Sequence, residues 1–246
     1  MFKPVEKKSL ADAVFEQLRD QIVSGRMEPG EALPAERVLS EQLDVNRGAV
    51  REALKRLEQA RLVSIRQGGA TRVLDYRTNA GTDLLAELLM NSNGEINTKV
   101  ARSVMEMRSA LGSDIARLCA KRGGAEIDDQ LEDILERMDA NAGNLPALQE
   151  LAMEFWATLV EGADNVAYQL AFNSLRETYS KFQGILAGFF ADELTDRQTH
   201  RLIAEAVREG REDDAEFYAR DLVKLGESLI SDLMDALETS GAASSS

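Results

Sequence analysis

Arg37, Arg47 and Arg51 carry the clearest chemistry in this chain. Arg47, Arg51 and Lys55 recur every four positions, so on a helix they share one face, distinct from that of Val50, Leu54 and Leu57. A guanidinium is a planar, permanently charged fork of donors. It suits guanine O6 and N7, or a phosphate, in two-point contact. Gly48 and Ala49, beside Arg47, keep a helix tip slim for close approach. Arg37 lies near the start of the preceding predicted helix, placed for a phosphate or a base at a groove edge. Gln67-Gly68-Gly69, flanked by Arg66 and Arg72, forms a tight tip suited to a minor groove or a phosphate backbone. One such arginine alone reads as a solvated helix face. The whole set at these spacings points to duplex DNA.

A second set lies further along. Arg108 falls between Val104 and Leu111 on the expected inward face of a helix. A buried arginine requires an anion, either a bound ligand or an internal carboxylate such as Glu154. Tyr168, Phe172, Leu175, Tyr179, Phe182, Leu186 and Phe189 recur at threes and fours. That stripe reads as the wall of an apolar pocket with hydroxyls at its rim, or as plain core. His200 is the one histidine, and Glu154 or Asp114 would be its acidic companions. A single imidazole makes a poor metal site, so neither metal nor cofactor is expected. No nucleophile–base pair and no glycine-rich cofactor loop occurs, so the chain does not read as an enzyme.

Charge is unevenly spread. The chain carries a net −14, yet residues 1–77 hold 14 Lys and Arg against 12 Asp and Glu, a net +2, leaving −16 on the remainder. The N-terminal part can meet a polyanion, while the acidic part faces solvent or a partner. A single cysteine, Cys119, excludes an internal disulfide and a cysteine zinc site. No apolar run reaches membrane-spanning length, and no apolar segment follows Lys7 and Lys8 as a secretion signal would require. A soluble, cytoplasmic protein without membrane association is expected.

The elements that must position these residues are mostly helical. Helices are predicted over 9–25, 35–43 and 47–60, then β-runs at 62–65 and 71–74 around Gly68-Gly69. Three helices and a hairpin make a winged helix-turn-helix. A short helix at Leu84–Leu89 follows. Further helices are predicted over about 100–118, 126–141, 147–162, 166–190, 195–209 and 211–238. The expected fold class is mainly α, a winged helix-turn-helix domain over 1–75 and an all-α bundle over 94–238. A linker spans 76–93, and a small polar tail over 239–246 is expected to be disordered.

Residues 9–74 resemble the DNA-binding domain of the GntR family of bacterial transcription regulators. The resemblance is carried by Leu33-Pro34-Ala35-Glu36-Arg37 with Leu39, and by Val45-Asn46-Arg47-Gly48-Ala49-Val50-Arg51-Glu52-Ala53-Leu54 with Leu57. It implies a homodimer on a short palindromic operator in double-stranded DNA. DNA contact is implied for Arg37, Arg47 and Arg51, with Asn46, Gly48 and Ala49 at neighbouring contact positions and Gln67 and Gly68 at the wing. The helical remainder resembles the effector domain of the FadR subfamily, most of whose members hold a divalent metal through an Asp and several His. Here Trp156 and Leu222 stand where histidines are usual, and only His200 remains. That departure, together with Tyr76, Gly81 and the Leu84, Leu85, Leu88 run, resembles the subfamily's metal-free, acyl-CoA-responsive branch. The resemblance implies an effector site at Arg108, Phe155 and Tyr179, for an acyl-CoA or similar amphipathic carboxylate, and a role in fatty-acid metabolism. The alternative is a repressor that senses a small organic acid, with or without metal.

Overall fold

The computed structural model describes residues 9–66, 68–182, 188 and 190–226. The chain divides between Asn97 and Thr98 into two compact units.

In the first unit, helix α1 (Leu10–Val23) opens on a reciprocal cap. The Ser9 hydroxyl accepts from the Asp12 amide, and the Asp12 carboxylate accepts from the Ser9 amide. Both amides would otherwise lack partners in the first turn. Helices α2 (Glu36–Gln42) and α3 (Arg47–Gln59) meet at a tight turn that Asp44 makes at φ 50°. Strands β1 (Val63–Ser64) and β2 (Arg72–Val73) pair antiparallel, Val63 opposite Val73. One core takes Val14, Phe15 and Leu18 from α1, Leu39 from α2, Val50, Ala53, Leu54 and Leu57 from α3, and Leu62, Val63 and Val73 from the ribbon. Fully burying each such Leu, Val or Phe contributes roughly 1.5–3 kcal/mol. The fold is therefore the expected winged helix-turn-helix followed by an all-helical domain.

Residues 76–93, expected as a linker, seat on this same core. They form α4 (Tyr76–Asn79), a 3-10 turn at Thr82–Leu84 and α5 (Leu85–Leu88). Leu84 is buried in the core, and Tyr76, Ala80 and Leu88 pack against it. Buried Arg19 ties them down, donating to Asp20 on its own helix and to Glu87 at 3.1 Å. Asp20 in turn accepts from the Ser92 amide at 2.8 Å.

The second unit contains α6 (Thr98–Arg122), α7 (Ala125–Ala140), α8 (Leu145–Gly162), α9 (Val166–Lys181), α10 (Ala191–Thr195) and α11 (Arg197–Arg208). Residues 212–226 are also helical and form α12. Helix α8 packs against α6, α7, α9 and α10, while α11 lies on α6 and α7. Among the described residues, no helix is long and apolar enough to cross a membrane.

Three expectations are corrected. The helix predicted over 166–190 ends at Lys181. The gap left between the helices predicted over 166–190 and 195–209 holds α10, with Asp196 capping α11 by accepting from the Thr199 amide at 3.0 Å. Of the inward face that the sequence spacing suggests for α6, Val100, Val104, Met107, Leu111, Ile115 and Leu118, only Ile115 and Leu118 are buried, and the first four are half-buried; Ala101, Met105, Gly112, Ala116 and Cys119 share the buried face with them. Small residues on that stripe let α8 approach closely, and apolar periodicity gives small residues little weight. Gln67, Leu186, Phe189, residues 227–238 and the tail lie outside the described residues.

A close approach of α8 to α6 and α7 is at Gly162, at the end of α8. A Cβ there would meet the Cys119 sulfur at 2.5 Å and an Ile127 methyl at 3.1 Å. Burial pushes the Cys119 thiol up to about 12, so it has no thiolate to offer. Gly162→Ala is expected to cost about 1–3 kcal/mol by overpacking, lowering the melting temperature by roughly 2–4 °C per kcal/mol. Adding Cys119→Ala should restore part of the loss. Recovery no greater than the sum of the single effects would show that the two sites do not touch. A thiol reagent should label Cys119 only as the chain unfolds.

Candidate functional site

The two sites foreseen in the sequence fall in different units and are built by different physics. The first is the outer face of α3. Asn46 caps this helix, its side-chain oxygen accepting from the Ala49 amide at 2.9 Å. Gly48 is required beside it, since a Cβ at that position would stand 3.0 Å from the same oxygen. Ala49 is itself buried, so its methyl packs inward and only its neighbours present a surface. Arg47, Gly48, Arg51 and Lys55 are all exposed. Their inward neighbours Val50, Ala53, Leu54 and Leu57 are buried, which fixes the roll of the helix about its axis.

The surrounding arginines divide into groups. Arg51 donates to Glu36 from Nη2 at 3.0 Å and from Nε at 3.5 Å. That partner raises the affinity of the Arg51 guanidinium for its proton. Arg37 donates to Glu41 one helical turn on, at 2.6 Å. Arg72 donates to the Gly30 carbonyl at 2.7 Å and so braces the ribbon, while Arg66 is exposed at the wing. Gly68 takes φ 73°, a conformation that glycine adopts without cost, at the wing tip. Arg56 belongs to another class: it pairs with Asp12 and lies over the Phe15 ring at 4.5 Å, joining α3 to α1. The exposed set is a row of fixed and free cations on a helix that projects from its own core. That arrangement suits a major groove.

The second site lies among α6, α8, α9 and α10. Arg108 pairs with Glu193 of α10, and Glu154 instead pairs with Arg137 at 2.8 Å. Glu193 is 3% exposed. Burial pushes its carboxyl upward, opposed by the charge and hydrogen bond of Arg108. The Arg108 guanidinium lies over the Phe190 ring at 4.9 Å, and the Tyr179 ring meets Phe190 at a tilt with ring centroids 5.8 Å apart. Gln149 donates its amide to the Tyr179 hydroxyl. Arg108 and Tyr179 thus meet around Phe190. Phe155 is fully buried and packs on the His200 ring, centroids 5.0 Å apart, and edge-on to Trp156 at 6.3 Å. Glu193, Phe190 and Gln149 were not foreseen. An acid within Phe190-Ala191-Asp192-Glu193 looks like a surface turn in sequence, and only the packing of α10 buries it.

Among the described residues, four buried side-chain atoms in this unit have no hydrogen-bond partner: Arg108 Nη1, Glu193 Oε2, Trp156 Nε1 and His200 Nε2. His200 Nδ1 donates to the Asp196 carbonyl at 2.7 Å, which leaves Nε2 as a bare lone pair. Burial lowers the proton affinity of the ring and keeps it neutral. Such atoms are costly to bury. The residues do not fit a divalent metal. At the positions where histidines are usual in the resembled subfamily, an indole N–H donates and Leu222 offers nothing, so His200 alone has a lone pair. Asp114 is engaged by the Tyr168 hydroxyl at 2.8 Å and by Arg117. Among the described residues no group of three acids, cysteines or histidines is placed to hold a metal ion.

Comparison with known proteins agrees with both halves. Residues 10–73 match the model described as bacterial regulatory proteins, gntR family, and residues 103–224 match the FCD domain. The chain is 38% identical over 223 residues to the HTH-type transcriptional regulator Mce2R of Mycobacterium tuberculosis, covering 91% of this chain and 92% of that one. It is 24% identical over 228 residues to the fatty acid metabolism regulator protein of Salmonella newport, covering 88% and 93%. Among solved structures, Lar, described as controlling expression of the Listeria monocytogenes agr system, superposes with a TM-score of 0.53 at 18% identity, covering 94% of this chain and 97% of that one, which supports the fold alone. With a full-length relative at this identity and both segments matched, the chain belongs to the gntR family of bacterial regulatory proteins, a DNA-binding transcriptional regulator with an FCD effector domain and not an enzyme.

Proposed function

We propose that the protein acts in the cytoplasm as a homodimer on a palindromic operator, each α3 entering a major groove with Arg47 and Arg51 toward base edges. Arg37 and Asn46 flank that helix, and Gly68 and Gln67 approach the minor groove or backbone from the wing. The observation that carries this reading is the exposed row of Arg47, Arg51 and Lys55 on a helix whose other face is fully buried. Two such helices, one per subunit, would read half-sites in successive grooves.

The effector is an acyl-CoA or a similar amphipathic carboxylate, held in the helical unit at Arg108, Tyr179 and Phe155. Support comes from the open Nη1 donor of Arg108 beside the Phe190 and Tyr179 rings, which suits an anion joined to an apolar chain. The Salmonella relative is named for fatty-acid metabolism, which agrees. The effector anion would compete with Glu193 for Arg108. Displacing Glu193 disturbs α10, and an effector that prefers the displaced arrangement shifts operator affinity by that difference in binding. A second reading is a small organic acid without metal, favoured by the unpartnered Trp156 donor and His200 acceptor.

Two outcomes follow. Arg47→Ala should weaken operator binding about tenfold to a hundredfold, the discrimination a two-point base contact supplies, while changing binding to scrambled duplex far less. Equal losses on both duplexes, read by fluorescence anisotropy, would assign Arg47 to phosphate. For the effector, thermal shift with acyl-CoAs of increasing chain length should show stabilisation that rises with length and survives chelator, about 2.7 kcal/mol at a hundredfold excess over Kd. Removing Arg108 alone would strand a buried carboxylate at about 3–5 kcal/mol, so the variant of choice is Arg108→Gln with Glu193→Gln. It should keep DNA binding and lose the acyl-CoA response. Stabilisation by small carboxylates but not by acyl-CoAs would favour the second reading.

A further inference from the structure

Glu36 is a carboxylate on a face that must approach a polyanion. It is the first residue of α2, exposed over 39% of its side chain, and it reaches 15 residues along the chain to hold Arg51. An ion pair this exposed contributes little to folding. A carboxylate near phosphates costs DNA affinity. Its place in the first turn of α2 favours that helix through the helix dipole, but neither that nor attraction to the backbone explains why its side chain is turned onto Arg51.

Geometry supplies a reason. Arg51 engages Glu36 through Nε at 3.5 Å and Nη2 at 3.0 Å, which is the side edge of the guanidinium. The two terminal nitrogens keep the outward N–H groups of the end-on fork. Glu36 thereby sets the plane of the fork and fills the edge that would otherwise be open to a phosphate. Its own charge repels a phosphate oxygen at the same place but not the neutral edge of guanine. Its remaining lone pairs can accept from the amino group of a cytosine. Arg47, at the tip of the same helix, makes no ion pair among the described residues and keeps its freedom for either contact.

We infer that Glu36 is a specificity-determining residue: it turns Arg51 from a phosphate-binding cation into a reader of one G·C base pair in each half-site. This rests on the reading of α3 as the groove-entering helix. The consequence is a trade, weaker binding to DNA in general for sharper choice among sequences.

The test begins with a randomised duplex pool selected on the full-length wild-type protein, which gives the preferred site. Anisotropy titrations then compare wild type, Glu36→Gln, Glu36→Ala and Arg51→Ala on that site, on each single base-pair change, and on a scrambled duplex, at several salt concentrations. Wild type and Arg51→Ala should identify one base pair per half-site that depends on Arg51. At that pair, Glu36→Gln should cut discrimination from roughly tenfold or more to under about threefold, from the value of a two-point contact. It should also bind scrambled duplex severalfold more tightly. The salt dependence on scrambled duplex should steepen by about 1.8 in log–log slope, about 0.9 for each Arg51 of the dimer that gains a phosphate. Glu36→Ala should behave likewise, with melting temperatures unchanged. Wild-type discrimination and slope in both Glu36 variants would overturn the proposal. If Arg51→Ala alters no base-pair preference, or the pool enriches no sequence, the underlying reading of α3 fails and the proposal with it. That outcome appears before any Glu36 variant is measured.

Discussion

One constraint governs the DNA-binding half: α3 must be anchored on one side and bare on the other. Val50, Ala53, Leu54 and Leu57 sink into a core shared with α1, α2 and the ribbon. The helix cannot roll without pulling at least one of them into water. That fixes where Arg47, Arg51 and Lys55 point. The Asn46 cap sets where the helix begins, and Gly48 leaves room for the cap. Arg56 shows how sharply position on the helix divides roles. It sits among the same run of cations, yet pairs with Asp12 and covers Phe15, so it acts as a brace for α1. The segments after β2 extend the same anchorage, through Leu84 in the core and Arg19 between Asp20 and Glu87.

The helical unit is organised by closeness of approach. The stripe of Ala101, Gly112, Ala116 and Cys119 on α6, and Gly162 at the end of α8, bring backbones together where larger side chains would collide. Within this tight frame the protein buries an ion pair and, among the described residues, leaves four polar atoms without partners. A buried pair of this kind is poor evidence of stabilisation, because desolvation offsets much of the attraction. Removing one partner is far worse than removing both. A single substitution at either residue is therefore more disruptive than the paired one.

The charges of the two units follow from these tasks. The N-terminal segment holds its cations at a few exposed positions and balances several with adjacent carboxylates, at Glu36, Glu41 and Asp12. Its small net charge thus hides a directed surface. In the acidic remainder some carboxylates are held in ion pairs with arginines, among them Asp139 with Arg197 and Arg201, and Glu154 with Arg137.

The winged unit was legible in the sequence because its helices are amphipathic, its turns carry Gly, Asp and Asn, and its chemistry lies on consecutive helical positions. Local spacing decides which of Arg47, Arg51 and Lys55 share a face, so no tertiary knowledge is needed. Arg108 was legible as a residue in need of an anion, but not which anion. Glu154 was the nearer guess in sequence, and the partner is Glu193, 85 residues away. The inward face of α6 was misread because small residues carry the packing there. Only the tertiary structure decided that Glu193 is buried, that Tyr179 and Arg108 share Phe190, and that Arg51 is held by Glu36. The first two depend on elements distant in the chain being brought together by burial, and the third on the angle at which α2 and α3 are set by their shared core; both are properties of the folded whole.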